Sequence, residues 1–187
     1  MKVEFVSAWK QVTTGLEQEL VGFWREHNAI LDEDLARRRA AQAVCVVRDE
    51  DGVLRGVATA VVKVLPRLRQ PMYYYRMFFS PGLRGHQQFL PTFRRAKEIL
   101  QAYNASLERP ESLGLLVEIE NDKIAAVYKR AHEPSFDATF IGYSPRGLQL
   151  RVSYFDDAEL LPPILPVAKN ADDAAPLPIP DPSIVPG

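Results

Sequence analysis

A loop that contains arginine, glycine and amide side chains separates an apolar run from a helical pattern near the middle of the chain. The run M-Y-Y-Y-R-M-F-F predicts a strand over 72–79, and the pattern ending at Q-A-Y-N predicts an amphipathic helix. Unpaired N–H groups and the helix dipole at a helix N-terminus favour an anion. We therefore expect a phosphate-binding loop, with an ordinary strand-to-helix connection as the alternative. Its side-chain ligand would be Arg84, and its backbone amides would come from Gly85, His86, Gln87 and Gln88.

Two carboxylates alternate with apolar residues in the run V-E-I-E. Glu118 and Glu120 therefore leave the same face of a predicted strand. A carboxylate near a substrate ammonium can take its proton, provided that burial raises the pKa of the carboxyl group. The alternative is a solvated strand face, where carboxylates are common.

Three consecutive tyrosines, Tyr73 to Tyr75, precede Arg76 in the predicted strand. Aromatic rings and arginines can bind nucleic acid by stacking on bases and neutralising phosphates. Consecutive strand residues point to opposite faces, however, so the three rings cannot form a single stacking platform. Core packing and a substrate cleft are the favoured roles, and nucleic-acid binding is a minor alternative.

The metal-ligating residue types are scattered. His27, His86 and His132 lack the spacing of a motif such as H-E-x-x-H, so we expect no metal site. The single cysteine, Cys45, lies in V-C-V-V, which is typical of a buried strand and favours a core thiol over a nucleophile. The chain also lacks a P-loop and a G-x-S-x-G motif.

The composition indicates an ordinary globular domain followed by a tail. Of 187 residues, 47% are hydrophobic and 25% are charged, and the net charge of −1 favours neither nucleic acid nor membrane. No apolar run is long enough to span a bilayer. The start, M-K-V-E-F-V-S-A-W-K, does not resemble a secretory signal, so we expect a cytoplasmic location.

The C-terminal segment differs in charge and in proline content. From Asp156 onward six carboxylates accompany one lysine, which gives −5; with −1 overall, residues 1–155 carry +4. The segment also holds eight of the 15 prolines. We expect a domain over 1–158 and an extended or disordered Pro-rich acidic tail over 159–187. A solvated tail is favoured, and a docking peptide for a protein partner or for the domain itself is the alternative.

Periodicity, capping residues and turns predict the order β-α-α-β-β-β-α-β-α-β-β. Thr13 or Thr14 caps the first helix and Asp32 the second, and Asp51-Gly52 marks a hairpin. Asn121 or Asp122 caps the last helix, predicted over 123–132. Strands that alternate with helices, together with hairpins, indicate a mixed α/β (α+β) sheet. The remaining predicted elements are strands at 2–8, 43–49, 53–65, 113–119, 136–143 and 148–155 and helices at 14–28, 33–40 and 89–107.

This order, whose elements together cover residues 1–155, resembles the GNAT superfamily of acyl-CoA-dependent N-acyltransferases, and three segments carry the resemblance. V-V-R-D-E-D-G-V-L-R-G-V-A is similar to the family's hairpin, and F-F-S-P-G-L-R-G-H-Q-Q-F to its cofactor loop. V-E-I-E-N-D-K-I-A-A-V-Y-K-R-A is similar to its last strand and helix. The resemblance implies a mostly antiparallel central sheet of about seven strands flanked by about four helices.

The resemblance also implies roles for particular residues in transferring an acyl group from acetyl-CoA or another acyl-CoA to a small-molecule or peptide amine. Tyr128 would protonate the leaving thiolate, and Glu118 or Glu120 would act as base. The backbone near Phe78 and Phe79 would polarise the thioester carbonyl. Asn121 would contact the pantetheine arm besides capping its helix. A homodimer is compatible with these expectations.

The cofactor loop departs from the family pattern. Gln87 and Phe89 occupy positions where the family has glycine, so their side chains are expected to crowd the backbone approach to a pyrophosphate. The leading hypothesis is therefore an acyltransferase with a degenerate loop. The alternatives are a related fold that has lost CoA binding and acts as an interaction module through its tail, and a nucleic-acid-binding protein.

Overall fold

The computed structural model describes residues 2–84 and 88–164, which form one mixed sheet with helices on both faces. The strands are β1 (Val3–Ser7), β2 (Ala43–Asp49), β3 (Leu54–Leu65), β4 (Gln70–Phe79), β5 (Gly114–Ile119), β6 (His132–Glu133), β7 (Ala138–Tyr143) and β8 (Gln149–Tyr154). The helices are α1 (Thr14–Glu26), α2 (Glu33–Ala40), α3 (Phe89–Ser106) and α4 (Asp122–Val127).

The sheet has the strand order β1-β2-β3-β4-β5-β8-β7-β6, and each neighbouring pair is antiparallel except β4 and β5. This architecture confirms the predicted fold class. The described residues form eight strands instead of about seven because the two-residue strand β6 pairs with β7.

Local side-chain hydrogen bonds explain why several boundaries were predictable. The Thr13 hydroxyl accepts the Leu16 N–H at the start of α1, and Asp32 accepts the Leu35 N–H at the start of α2. In the β2–β3 hairpin, the Asp49 carboxylate accepts the N–H groups of Asp51 and Val53. The predicted caps and hairpin are thus confirmed.

The two faces of the sheet carry separate apolar cores. Tyr73 and Tyr75 lie in the core on the α3 side, whereas Tyr74 lies in a different cluster, as strand alternation requires. Helices α1 and α2 cover the opposite face of β2 and β3 through residues such as Trp24. Cys45 is a buried core thiol, and burial raises its pKa to about 12. None of the described helices is long and apolar enough to cross a membrane.

The last helix is shorter than its sequence pattern predicts. Helix α4 ends at Val127, so the prediction of a helix up to His132 is wrong. Arg151, only 2% exposed, donates to the carbonyl oxygens of Tyr128 and Arg130, at 2.8 and 2.9 Å. These bonds hold the chain in a non-helical path that leads directly into β6.

The segment after the last strand returns to the start of β4. The backbone N–H and C=O of Leu161 form hydrogen bonds with the Gln70 side chain at 3.0 and 2.8 Å. The Ile164 N–H donates to the Arg69 carbonyl at 3.0 Å. The rest of the predicted Pro-rich tail, residues 165–187, lies outside the described residues.

Candidate functional site

Strands β4 and β5 separate in the middle of the sheet. Their parallel pairing runs from Tyr73 opposite Leu115 to Tyr75 opposite Val117 and goes no further, although both strands continue. A gap therefore opens between the C-terminal halves of the two strands. Backbone groups at such a gap have no neighbouring strand to pair with, so they are available to a ligand.

A buried polar cluster fixes the closed end of this gap. The Asn104 side chain donates to the Ser112 carbonyl and accepts the N–H groups of Glu111 and Ser112. The Ser112 hydroxyl in turn accepts the Tyr73 N–H at 3.0 Å. Helix α3 thereby holds the entry to β5 against β4, so the strands are joined at one end and free at the other.

Strand alternation identifies which β4 amides face the gap. The Tyr73 N–H and the Phe79 C=O both point to this side, toward Ser112 and Arg84 respectively. Odd-numbered residues therefore direct their backbone toward β5, and even-numbered residues direct theirs toward β3. The amides of Met77 and Phe79 face the gap. The Phe78 amide faces β3, opposite to the side on which a thioester was expected.

The side chains of Phe78 and Phe79 have separate packing roles. The Phe78 ring packs edge-on against Phe23, with centroids 5.6 Å apart, on the α1 face. Phe79 lies over Gly56, where an added Cβ would overlap the Phe79 ring. The second glycine of the hairpin motif is therefore required because it leaves room for the Phe79 ring at the end of β4.

The loop after β4 is described up to Arg84 and from Gln88. Arg84 is exposed, and its Nε donates to the Phe79 carbonyl at 3.1 Å. Its guanidinium lies 5.2 Å from the Phe78 ring centroid, beside the open end of the gap. Gln88 is the residue directly before α3, whose first turn contains no acidic residue. The predicted amide donors Gly85, His86 and Gln87 lie outside the described residues.

The side chain of Phe89 packs inward from the first turn of α3. Its ring centroid lies 6.0 Å from Phe93, 5.3 Å from Phe136 and 5.7 Å from Tyr128. The ring joins α3 to α4 through this aromatic cluster and is half-buried. The crowding expected from a phenylalanine at this position therefore falls on the core side of the helix.

Tyr128 is the residue directly after α4. Its ring centroid lies 4.9 Å from that of Phe136, and its backbone carbonyl accepts a hydrogen bond from Arg151. No described residue forms a hydrogen bond with its hydroxyl group. Burial, with a smaller contribution from the negative charge of Glu133, raises the pKa of Tyr128. The phenol therefore stays protonated at neutral pH and is able to donate a proton.

Asn121 lies between β5 and α4. Its side-chain oxygen accepts the N–H groups of Lys123 and Ile124 at 2.9 and 3.3 Å. The predicted helix cap is confirmed. This role occupies the acceptor side of the amide group, so any ligand contact of Asn121 would use its NH₂ group.

Glu118 and Glu120 share one face, as alternation predicts, and both bind Arg146 at 2.8 and 2.6 Å. Burial acts to raise the pKa of Glu118, but hydrogen bonds from Arg146, Ser144 and Tyr74 outweigh it and lower the pKa to about 2. The raised pKa on which the base role of Glu118 depended is therefore absent. The Glu120 side chain is 64% exposed.

A cavity of about 160 Å³ lies on the α1 face, between the α1–α2 connection and strands β3 and β4. Its charged lining residues are Arg39, Arg76 and Glu120. Sequence reasoning missed Arg39, which is the third of three adjacent arginines and gives no local signal. Arg76 does give a signal, because it is the charge that interrupts an apolar strand. The described residues contain no group of three or more His, Cys, Asp or Glu side chains placed to hold a metal ion.

The separated parallel pair β4–β5, with helices on both faces of the sheet, defines the GNAT fold, and solved structures share it. The acetyltransferase of GNAT family from Streptococcus pneumoniae is 11% identical, with a TM-score of 0.55 over 82% of this chain and 99% of that one. Arabidopsis thaliana NAA60 in complex with acetyl-CoA is 12% identical, with a TM-score of 0.52 over 82% of this chain and 100% of that one.

The same fold is found in a GNAT superfamily phosphinothricin acetyltransferase from Sinorhizobium meliloti in complex with AcCoA. That protein is 16% identical, with a TM-score of 0.50 over 81% of this chain and 86% of that one. No protein-family model matches the sequence, and no curated protein matches it. At these identities the likeness shows the fold, and a function has to be argued from the site.

Proposed function

We propose that this protein transfers an acyl group from an acyl-CoA to an amine. The observation that carries the proposal is the gap between β4 and β5, bordered by the amides of Met77 and Phe79. Fixed N–H donors at a position where negative charge develops stabilise the oxyanion of an acyl-transfer intermediate. Two proteins that share the fold were solved with acetyl-CoA, which supports an acyl-CoA as the co-substrate.

The open end of the gap, next to the N-terminus of α3, suits the phosphates of such a co-substrate. The first turn of this 18-residue helix carries no acidic side chain that would repel an anion. Arg84 lies beside it and is exposed, so a phosphate can exchange for its present contact with the Phe79 carbonyl. In this proposal Gly85, His86, Gln87 and Gln88 supply backbone amides, and the Asn121 NH₂ group contacts the pantetheine arm.

In the reaction, the amine nitrogen forms a bond to the thioester carbon and the carbon–sulfur bond breaks. The amides of Met77 and Phe79 hold the carbonyl oxygen while it carries negative charge. The Tyr128 hydroxyl gives its proton to the thiolate that forms when the carbon–sulfur bond breaks. The amine loses one proton to solvent, directly or through Glu120, and solvent returns one proton to the Tyr128 phenolate.

Glu120 is the better candidate for a base of the two carboxylates. The lowered pKa of Glu118, about 2, makes its carboxylate a weak proton acceptor, and Tyr74 and Arg146 both donate to its Oε2. Glu120 lines the cavity on the α1 face, next to the β4 residues that border the gap. A substrate amine in that cavity would lie within reach of its carboxylate or of a water that it binds.

Ligand-induced stabilisation tests the proposal directly. Acetyl-CoA or a longer acyl-CoA at 100 times its Kd should stabilise the protein by about 2.7 kcal/mol, which for a chain of this size raises Tm by roughly 5–10 °C. The variant Arg84→Gln should reduce this shift, and Arg109→Gln, an exposed arginine in the loop after α3, should not. If no acyl-CoA changes Tm, the proposed function is wrong.

A further inference from the structure

The cavity on the α1 face carries more positive charge than the proposed reaction requires. Arg39 and Arg76 are half-buried and line it together with Glu120. Neither guanidinium lies within 4.0 Å of a carboxylate in the parts of the chain from 2 to 84 and 88 to 164. Half-buried arginines usually have such a partner, because a desolvated charge is costly.

A third cation lies close to the two arginines. The Lys63 ammonium and the Arg76 guanidinium lie 4.3 and 4.1 Å from the centroid of the same Tyr74 ring. The ring provides only weak compensation, because cation–π contacts are weaker than ion pairs. Together with Arg146, these four cations accompany two carboxylates, Glu118 and Glu120, so this part of the surface carries +2.

The directions in which the pKa values of these groups shift agree with a net positive potential, which the charges of Glu120 and Glu118 only partly offset. Burial, and then the charge of Arg76, lowers the pKa of Arg39. The same two causes, in the same order, lower the pKa of Lys63. A cation whose pKa is lowered by a neighbouring cation gains free energy when an anion enters.

We propose that this cavity selects small amine acceptors that also carry an anionic group, a carboxylate or a phosphate. The guanidinium groups of Arg39 and Arg76 bind the anion, and the amine of the same molecule is left near Glu120 and the gap. This inference rests on the proposed function and names its substrate class. A volume of about 160 Å³ fits a small molecule, since it equals the share of about five liquid waters.

The same positive charge assists the chemistry of such an acceptor. A carboxylate bound by the arginines leaves a net charge of +1, so the ammonium group of the same molecule has a lowered pKa there and releases its proton more readily. The neutral amine that results is the nucleophile that acyl transfer needs. The arginines therefore fix the orientation of the substrate and favour its reactive protonation state.

Binding can be measured without turnover, because Trp24 lines the cavity and Trp9 is the only other tryptophan. Tryptophan fluorescence is titrated with glutamate, alanine and O-phosphoethanolamine, and with matched amines that lack the anionic group: glutamine amide, alanine amide and ethanolamine. We expect saturable changes with the anionic set only. A comparison of glutamate and alanine with O-phosphoethanolamine then shows whether the cavity prefers a carboxylate or a phosphate.

Acyl transfer with acetyl-CoA is measured on the same compounds. Arg39→Gln and Arg76→Gln should each raise KM for acceptors with an anionic group about 10- to 100-fold, the effect of losing a charged hydrogen bond, and leave KM for amines without one nearly unchanged. Arg38→Gln, a change to the exposed neighbour of Arg39, is the matched control and should behave as wild type.

The outcomes separate this inference from the proposed function. If acetyl-CoA stabilises the protein but amines without an anionic group bind and react as well as those with one, the inference is overturned and the acyltransferase proposal stands. If no acyl-CoA binds, the acyltransferase proposal fails, and the fluorescence titration still decides whether the cavity binds anions.

Discussion

The change Tyr128→Phe tests the assigned proton donor with the least disturbance to the fold. It removes one oxygen atom that no described residue binds and keeps the ring that packs against Phe136 and Phe89. We therefore expect the free energy of unfolding to change by less than about 0.5 kcal/mol. General acid catalysis contributes about 10²- to 10⁴-fold to a rate, which corresponds to roughly 2.7–5.4 kcal/mol of activation free energy.

The measurement is kcat for acyl transfer, followed by release of the CoA thiol between pH 6 and pH 10, with urea denaturation in parallel. Burial raises the pKa of Tyr128, so any decline in its donor function should begin at a higher pH than for an ordinary tyrosine. The exposed Tyr154→Phe serves as the matched control. If Tyr128→Phe binds acetyl-CoA normally and keeps kcat within about threefold of wild type, Tyr128 is not the general acid.

Three further changes test the surroundings of the site. Glu118→Gln should lower the free energy of unfolding at pH 7 by about 1–2 kcal/mol, less than the shift to about 2 implies, because its arginine partner is largely exposed; this contribution is present above pH 4.5 and is lost as pH falls toward 2. Urea unfolding at pH 7 and pH 3 checks it against Glu120→Gln, and an equal loss at both pH values would contradict the lowered pKa. Gly56→Ala should cost about 1–3 kcal/mol because its Cβ would contact the Phe79 ring; thermal unfolding measures the loss, and Phe79→Leu in the same background should recover part of it. Phe89→Ala should cost about 2–4 kcal/mol in packing and leave the Kd of acetyl-CoA nearly unchanged in calorimetry, whereas tighter binding would show that the ring crowds the loop.

Local sequence signals were sufficient for most of the fold. The side chains of Thr13, Asp32 and Asn121 cap helices through hydrogen bonds that span two or three residues, so their effect is visible in the sequence. The end of α4 was not visible, because it depends on Arg151. That arginine binds backbone carbonyls 21 and 23 positions earlier, and nothing in the helical pattern reports a contact at such a separation.

In the candidate site, too, the features that were predictable have local causes, and the others depend on residues far apart in the sequence. Alternation correctly placed Glu118 and Glu120 on one face, because the period of a strand is a local property. The direction of the pKa shift of Glu118 depends on Arg146, 28 residues later in the chain, and on Tyr74, 44 residues earlier. The cavity likewise combines Arg39 from α2 with Arg76 from β4, and the sequence contains no pattern that brings these two together.

A phenylalanine at the position of the family's loop glycine affects the folded chain differently from what the sequence pattern suggests. Glycine is required at a phosphate loop only where a side chain would project toward the phosphate. The Phe89 ring projects toward Phe93 and Phe136, in the core between α3 and α4. Its position in the first turn still contributes a backbone N–H to the N-terminus of α3, where the helix dipole favours an anion. A residue at this position can therefore stabilise the core with its side chain and retain an amide for a ligand. The loss of the glycine pattern at Phe89 is thus a weaker argument against acyl-CoA binding than the sequence alone suggests.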